Sequence, residues 1–279
     1  MNILVTGAAG FLGRRLIQAL LERGSLTDRH GQLRPIQRIT AFDRDPVQGL
    51  DDPRVQVKGG DITDPQVLAN LIDANTQGIF HLAAVVSSQA ESDFDLGMRV
   101  NFSATQGLLE RARQLGTCPK WVMTSSVAVF GGQLPDTVGD DQVWSPQSSY
   151  GTQKAMNDLL LADYSRRGFV DGRSLRMPTI VVRPGKPNLA ASSFASGIIR
   201  EPLNGQASVC PVPLNTRLWL MSPAQAIANL VHGHELAAER LSQGRVINMP
   251  GLSQTVEQMI DALREVACLL YTSPSPRDQ

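Results

Sequence analysis

Apolar positions along this chain follow two alternating periods. Ile3, Leu4 and Val5 form a short apolar run of strand length, followed by a glycine-containing turn. Phe11, Leu12, Leu16, Ile17, Leu20 and Leu21 then recur at helical spacing, and Gly24 supplies a helix stop. A polar stretch, 25–38, precedes a second strand over Ile39–Phe42 that ends at Asp43. Val55–Val57 is a third strand, and Asp64 caps a helix expected over Pro65–Ala74. Gly78–Leu82 is a fourth strand, followed by one long helix across Phe94–Leu115. Trp121–Thr124, a helix over Ser149–Arg167 and a sixth strand over Arg176–Val182 complete the series. Strands alternating with helices in this way predict an α/β fold, a doubly wound parallel sheet with helices on both faces.

Beyond Gly185 the pattern loosens into Ser193–Leu203, Arg217–Met221, Pro223–Leu236, Val246–Met249 and Val256–Val266. The division this implies is one domain over 1–185 and a smaller lobe over 186–267.

Composition narrows the function. Lys plus Arg equal Asp plus Glu at 26 each, so no excess of cation argues for nucleic acid. Cys118, Cys210 and Cys268 are dispersed and read as reduced thiols, with neither a disulfide framework nor a metal site. His232 and His234 stand two apart, and a solvated helix end is favoured there over a metal pair. The longest apolar run, near Gly78–Val86, is broken by His81 and falls short of a membrane span. The start, lacking a basic stretch, does not read as a signal peptide. A cytoplasmic protein is therefore expected.

Thr6–Gly13, TGAAGFLG, lies where a strand passes into a helix. Glycines there permit the turn and let amides reach a pyrophosphate at the helix N-terminus. Gly7, Gly10, Phe11, Leu12 and Gly13 are the candidate phosphate-loop residues, with Gly13 allowing helix and strand to close on each other. Asp43, at the second strand's end, would accept from ribose hydroxyls and repel a 2′-phosphate, which favours NAD over NADP. Arg44 is the rival feature.

Tyr150 and Lys154 are four apart on one helix face. A free phenol, with a pKa of about 10, is a poor base at neutral pH, and a neighbouring ammonium would stabilise its phenolate. Ser126, just past the fifth strand, would hydrogen-bond the reacting oxygen. Ser126, Tyr150 and Lys154 are the candidate catalytic residues, Tyr150 and Lys154 also touching the cofactor.

With these elements the chain resembles the extended short-chain dehydrogenase/reductase family, which includes nucleotide-sugar epimerases and dehydratases. The resemblance rests on TGAAGFLG, GDI at Gly60–Ile62, HLAA at His81–Ala84, SSVAVFG at Ser125–Gly131, YGTQK at Tyr150–Lys154 and RPG at Arg183–Gly185. It spans residues 1 to about 267 and implies a Rossmann domain. It also implies that Asp61 and Ile62 lie near the adenine and that Leu82, Ala83 and Ala84 line the cofactor. By the same resemblance Asn101 supports the site and Pro184 approaches the nicotinamide. Phe130 stands where a tyrosine is common, which leaves the triad intact.

Val86–Gly97, Arg183–Leu203 and Thr216–Pro223 resemble a subgroup that oxidises the C2 hydroxyl of D-erythronate with NAD. A small anionic sugar acid needs a cationic or multi-donor partner. Arg217 is the first candidate, with Ser87, Ser126, Lys186 and Ser193 as further substrate residues. A nucleotide-sugar epimerase or dehydratase, a sugar or uronate dehydrogenase and a non-catalytic NAD sensor are the alternatives. Partners expected are the sugar acid and a second copy in a homodimer, without nucleic acid or membrane. Cys268–Asp278 resembles a translated sequencing adaptor. The native chain is thus expected to continue beyond Ala267, the lobe to be incomplete here, and Cys268 and Tyr271 to carry no functional weight.

Overall fold

The structure, a computed structural model, describes residues 1–185, 190–241 and 244–267. The chain divides into two compact units, one of Met1–Met177 with Ala224–Met249, the other of Pro178–Pro223 with the segment from Pro250 onward. The sequence pattern places one boundary at 185/186, whereas the chain passes between units three times.

In the first unit, β1 (Asn2–Thr6) leads into α1 (Phe11–Arg23), which Gly24 ends in a left-handed conformation, its N–H donating to the Leu20 carbonyl. The polar stretch after it forms a hairpin, β2 (Ser25–Thr27) against β3 (Leu33–Pro35). Polarity concealed this hairpin, since only Leu26 and Ile36 drop into the core. Then come β4 (Arg38–Asp43), β5 (Val55–Gly59) and α2 (Pro65–Leu71). The Asp64 carboxylate caps α2 by accepting from the Gln66 N–H. Helical pattern alone extends α2 to Ala74, but Ile72 turns extended and is buried completely.

β6 (Thr76–His81) is followed by α3 (Ser87–Ser92) and α4 (Phe94–Gly97). The long helix expected over Phe94–Leu115 is interrupted by a π-helical turn, Met98–Ser103, before α5 (Ala104–Leu115). Next come β7 (Lys120–Ser126), a 3-10 turn at Val127–Val129, α6 (Ser149–Arg166) and β8 (Asp171–Met177). The expected strand over Arg176–Val182 is two strands. Pro178 offers no N–H to a ladder, and β9 (Thr179–Ile180) pairs in a different sheet.

The large sheet, which β11 (Val246–Asn248) completes, has the order β11-β8-β7-β6-β1-β4-β5, every neighbouring pair being parallel. Strand order reverses between β1 and β6, and a crevice opens at the carboxyl ends of strands at such a switch point. Trp121, Phe80, Ile79, Leu4 and Phe42 are buried in this sheet, as strands covered on both faces require.

The second unit holds α7 (Ser193–Leu203), β10 (Arg217–Met221), β12 (Leu252–Thr255) and α9 (Val256–Ala267). Its sheet runs β12-β10-β9, and its core joins Ala195, Ile198, Leu220, Val256 and Met259. Between them, α8 (Pro223–Glu235) and β11 (Val246–Asn248) belong to the first unit's fold, but for Pro223.

His234 corrects the sequence reading. It lies on α8 but is no solvated helix end: it is fully buried and stacks on Phe80 with ring centroids 5.3 Å apart, while His232 is exposed. Burial pushes the His234 pKa down, so the ring packs as a neutral aromatic. Among the described residues, no group of three or more His, Cys, Asp or Glu is placed to hold a metal. Cys118 and Cys210 are free thiols. No described helix is long and apolar enough to cross a membrane. Residues 268–279, the tail read from sequence, lie outside the described residues.

Candidate active site

The glycine loop is built by contacts that leave no room for side chains. Gly7 has a φ of 74°, and a Cβ there would lie 2.8 Å from both Ala83 N and Leu82 C. On Gly13, in the first turn of α1, a Cβ would come within 2.1 Å of the Gly7 carbonyl oxygen. The Gly10 N–H donates to that same oxygen at 3.1 Å. The turn is therefore pressed between α1 and the segment after β6, a place only glycine fits. The amides of Phe11, Leu12 and Gly13 have no partner within the helix, and this end favours an anion.

A cavity of about 430 Å³ opens beside this turn, lined by Gly7 and Gly10, by Asp43, Asp61 and Ile62, and by Leu82, Ala83 and Ala84. Asp43 faces it with a carboxylate already oriented: Oδ2 accepts from the Ala9 N–H at 2.8 Å and Oδ1 from the Asp45 N–H at 3.1 Å. Arg44 also lines the cavity, but its guanidinium lies 3.7 Å from the Asp45 carboxylate and is largely exposed. Asp61 accepts from both the backbone and the hydroxyl of Thr63, which hold its carboxyl below the usual range. Arg14, Pro46, Val85, Gln89 and Val100 line the cavity too, and the sequence reading missed them. Arg14 was within reach of it, one helical position beyond Gly13; the others come from loops and helices that only folding brings there.

α6 begins where Ser148 Oγ accepts from the Gly151 N–H at 3.1 Å. A Cβ on Gly151 would lie 2.2 Å from the Ala128 carbonyl oxygen, so the helix start is pressed against the 3-10 turn that follows Ser126. This packing draws Tyr150 toward the end of β7. Ser126 Oγ accepts from the Ala128 N–H at 3.1 Å. Lys154 is anchored on β7, Nζ donating to the Thr124 carbonyl at 2.8 Å, and its ammonium lies 5.6 Å from the centre of the Tyr150 ring. Burial pulls the Lys154 pKa down to about 8, with the Asp158 carboxylate opposing the fall. Such a lysine is charged at neutral pH and close to releasing its proton.

Asn101, on the π turn, is buried and does not line the cavity. It braces the wall instead. Its Oδ1 accepts from the Val85 N–H at 2.8 Å, and its Nδ2 donates to Gln153 Oε1 at 2.7 Å. Its carbonyl accepts from Asn157 Nδ2 at 2.6 Å, tying the cavity wall to α6. His81 links the same layer, Nδ1 meeting Thr6 Oγ1 at 2.7 Å and Nε2 meeting Thr105 Oγ1 at 2.9 Å. Burial, with the nearby Lys154 charge, lowers the His81 pKa to about 3, so the ring is neutral. A signal for this layer existed in the sequence only as His81 and Asn101; Gln153, Asn157 and Thr105 read as ordinary helix positions.

The structure thus brings the glycine loop, Asp43, Asp61, Ile62 and Leu82–Ala84 around one cavity, and Ser126, Tyr150 and Lys154 around the start of α6. Ser87 opens α3 in this unit. Pro184, Ser193 and Arg217 belong to the second unit. There Pro184 is exposed in the segment after β9, Ser193 opens α7, and the exposed Arg217 opens the central strand of its sheet, opposite Thr255. Lys186 lies outside the described residues.

The sequence model of the NAD dependent epimerase/dehydratase family matches residues 3–248. A D-erythronate dehydrogenase of Cupriavidus necator is 62% identical over 267 residues, 96% of this chain and 82% of that protein. A D-erythronate dehydrogenase of Haemophilus influenzae is 46% identical, over 95% of this chain and 82% of its own. The crystal structure of the nucleoside-diphosphate-sugar epimerase from Agrobacterium tumefaciens superposes with a TM-score of 0.89 at 45% identity, over 96% of this chain and 78% of that one. Its glycine turn, its switch-point cavity and its near-full-length match agree: the chain belongs to the NAD dependent epimerase/dehydratase family.

Proposed function

We propose that this protein is an NAD-dependent dehydrogenase that oxidises the C2 hydroxyl of D-erythronate to 2-dehydro-D-erythronate. The observation that carries this reading is the 62% identity, over 96% of the chain, to a D-erythronate dehydrogenase.

The residues present fit the cofactor. Gly7 and Gly13 let the turn, α1 and the segment after β6 close on one another where side chains could not fit, and the open end of α1 would meet the pyrophosphate. Asp43 would take the ribose hydroxyls, and its charge disfavours a 2′-phosphate. Arg44, the cation that could welcome that phosphate, is shared with Asp45. This supports NAD over NADP. When bound, NAD supplies the acceptor for the hydride that leaves C2.

In this reading Tyr150 Oη takes the proton of the C2 hydroxyl while Ser126 Oγ hydrogen-bonds the same oxygen. Lys154 lowers the cost of the phenolate through its positive charge. Thr124 and Asn101 hold these groups through backbone and α6 contacts rather than by touching the acid. On sequence grounds Arg217 is assigned the carboxylate, with Ser87, Lys186 and Ser193 as further substrate residues.

The test is a panel of D-erythronate, other small hydroxy acids, uronates and nucleotide sugars, each with NAD and NADP. Growth of reduced-cofactor absorbance with D-erythronate and NAD is the expected result. Conversion of a nucleotide sugar with no turnover of any four-carbon acid would favour the epimerase reading that the Agrobacterium tumefaciens likeness raises.

A further inference from the structure

One turn beyond Lys154 on α6 sits Asp158, whose side chain is fully buried. Residues four apart share a helix face, so this carboxylate lies along the same stripe as the lysine. Its Oδ2 accepts from Arg176 Nε at 2.9 Å and its Oδ1 from the Ser174 hydroxyl. Arg176 is itself 2% exposed. Its guanidinium lies 4.0 Å from the centre of the Trp144 ring and 5.0 Å from that of Phe130. Asn248 Oδ1 accepts from Arg176 Nη1 at 3.4 Å, and Asn248 Nδ2 donates to Asp140. Four segments therefore converge on one buried cation: α6, the stretch after Ser126, the loop before Ser148 and β11.

A buried ion pair is weak support for stability, because desolvation offsets most of the attraction. Replacement by apolar residues would serve packing equally well. Its place suggests another role. We propose that Asp158 and Arg176 form a positioning pair for the active site, in which Arg176, held by Phe130 and Trp144, keeps Asp158 ionised as the counter-charge of Lys154. The inference rests on the reading of Tyr150 and Lys154 as the proton-transferring pair.

The logic needs both partners. Burial pushes the Asp158 pKa up, and Ser174 and Arg176 pull it back. Without Arg176 the carboxyl would take a proton and cease to oppose the desolvation of Lys154. Titratable groups bearing on Lys154 are Tyr150 and Asp158 from its own helix and neutral His81 from β6, with Arg176 of β8 acting through Asp158. Of these, Asp158 is the standing charge that opposes the desolvation of Lys154.

The experiment follows the Lys154 side chain by NMR in lysine-labelled enzyme, its signal assigned by loss in Lys154→Met. This titration needs no turnover, so it can fail while the dehydrogenase reading stands, and the reverse. In the parent the ammonium is expected to titrate at about 8. Asp158→Asn is expected to lower that midpoint by about one to two pH units, the size of one charge between residues four apart on a helix, about 6 Å, at an effective dielectric of about 20. Arg176→Met should lower it comparably, and the double variant no further than Asp158→Asn alone, because both act through one carboxylate. Trp144→Leu, on a half-exposed loop residue that does not threaten the fold, should shift it in the same direction by less. The alkaline limb of kcat/KM should move with each midpoint while NAD affinity holds. A Lys154 midpoint unmoved in folded Asp158→Asn, or unmoved in Trp144→Leu should the buried variants not fold, overturns the proposal. Additive shifts in the double variant overturn it as well.

Discussion

Replacing Gly13 by alanine tests the nucleotide loop at its tightest point. Alanine is the better helix former by about 1 kcal/mol, so propensity alone predicts a gain in stability. The structure predicts the reverse. The new Cβ would lie 2.1 Å from the Gly7 carbonyl oxygen and 2.9 Å from Ala8 Cα, where ordinary contact begins at 3.4 Å. Both neighbours are backbone, so no side chain can swing away, and the loop and α1 must part by roughly an ångström. Overpacking of this kind costs about 1–3 kcal/mol, and rigid neighbours put it at the upper end. Net of propensity, about 2 kcal/mol is lost, a fall of roughly 4–8 °C in Tm for a domain of this size. The same movement displaces the Gly7 carbonyl, on which the Gly10 N–H closes the turn. Loss of one amide–phosphate bond of about 1.5–3 kcal/mol weakens NAD binding roughly ten- to 150-fold. Thermal melts without nucleotide give the first quantity and calorimetric NAD titration the second. A variant melting no lower than the parent would refute the packing argument. One that melts lower yet binds NAD as the parent does would refute the assignment of the loop to the nucleotide.

Other outcomes follow from the same geometry. Tyr150→Phe should lower kcat at least about 100-fold, the lower range for loss of a general base, with NAD affinity nearly unchanged; steady-state kinetics and equilibrium binding decide it. Asp43→Ala should narrow the preference for NAD over NADP in kcat/KM and weaken both cofactors, since Ala9 loses the carboxylate that accepts its N–H. His81 should make the fold acid-sensitive. Its pKa is about 3 when folded against 6.5 when unfolded, so its contribution is full above 6.5 and is lost as pH falls toward 3. Urea midpoints measured across that window should fall with pH, and His81→Gln should flatten part of the slope, with His234 and carboxylates such as Glu110 and Glu235, held at about 2, supplying the rest. Lys154 works in the opposite part of the scale. The unfolded chain keeps its proton up to 10.5 while the folded one releases it near about 8, so stability rises with pH across that interval, less steeply in Lys154→Met.

How much of this was legible before folding depends on whether a residue's role is local. The strand–glycine–helix passage at Thr6–Gly13 is local, since strand, turn and helix are contiguous, and every part of it reads from the sequence. So is the pairing of Tyr150 with Lys154, because spacing on one helix fixes a shared face. The hairpin at 25–35 was not legible. Two buried residues, Leu26 and Ile36, carry its attachment, and so few apolar positions give no alternation to detect. His234 fails for the same reason in reverse. Its polarity suggests solvent, but it fills space against Phe80, where Gly78 has no side chain and a Cβ would lie 3.0 Å from the His234 ring.

The π turn at Met98–Ser103 shows why the rest of the site needs three dimensions. Apolar periodicity over Phe94–Leu115 describes one helix, because a single wide turn displaces the later positions by only one residue. Its cause is not in the helix. Asn101 must satisfy both the N–H and the carbonyl of Val85, donate to Gln153, and offer its own carbonyl to Asn157. A regular α-helical turn would engage that carbonyl with the amide four residues on. In the π turn this carbonyl serves α6 through Asn157, and Thr105 Oγ1 shares it. The wall of the cavity and the helix that carries Tyr150 and Lys154 are thus held by one side chain and one backbone carbonyl of Asn101. Both are specified by residues 52 and 56 positions away in the chain, which is why neither propensity nor periodicity near Asn101 could disclose them.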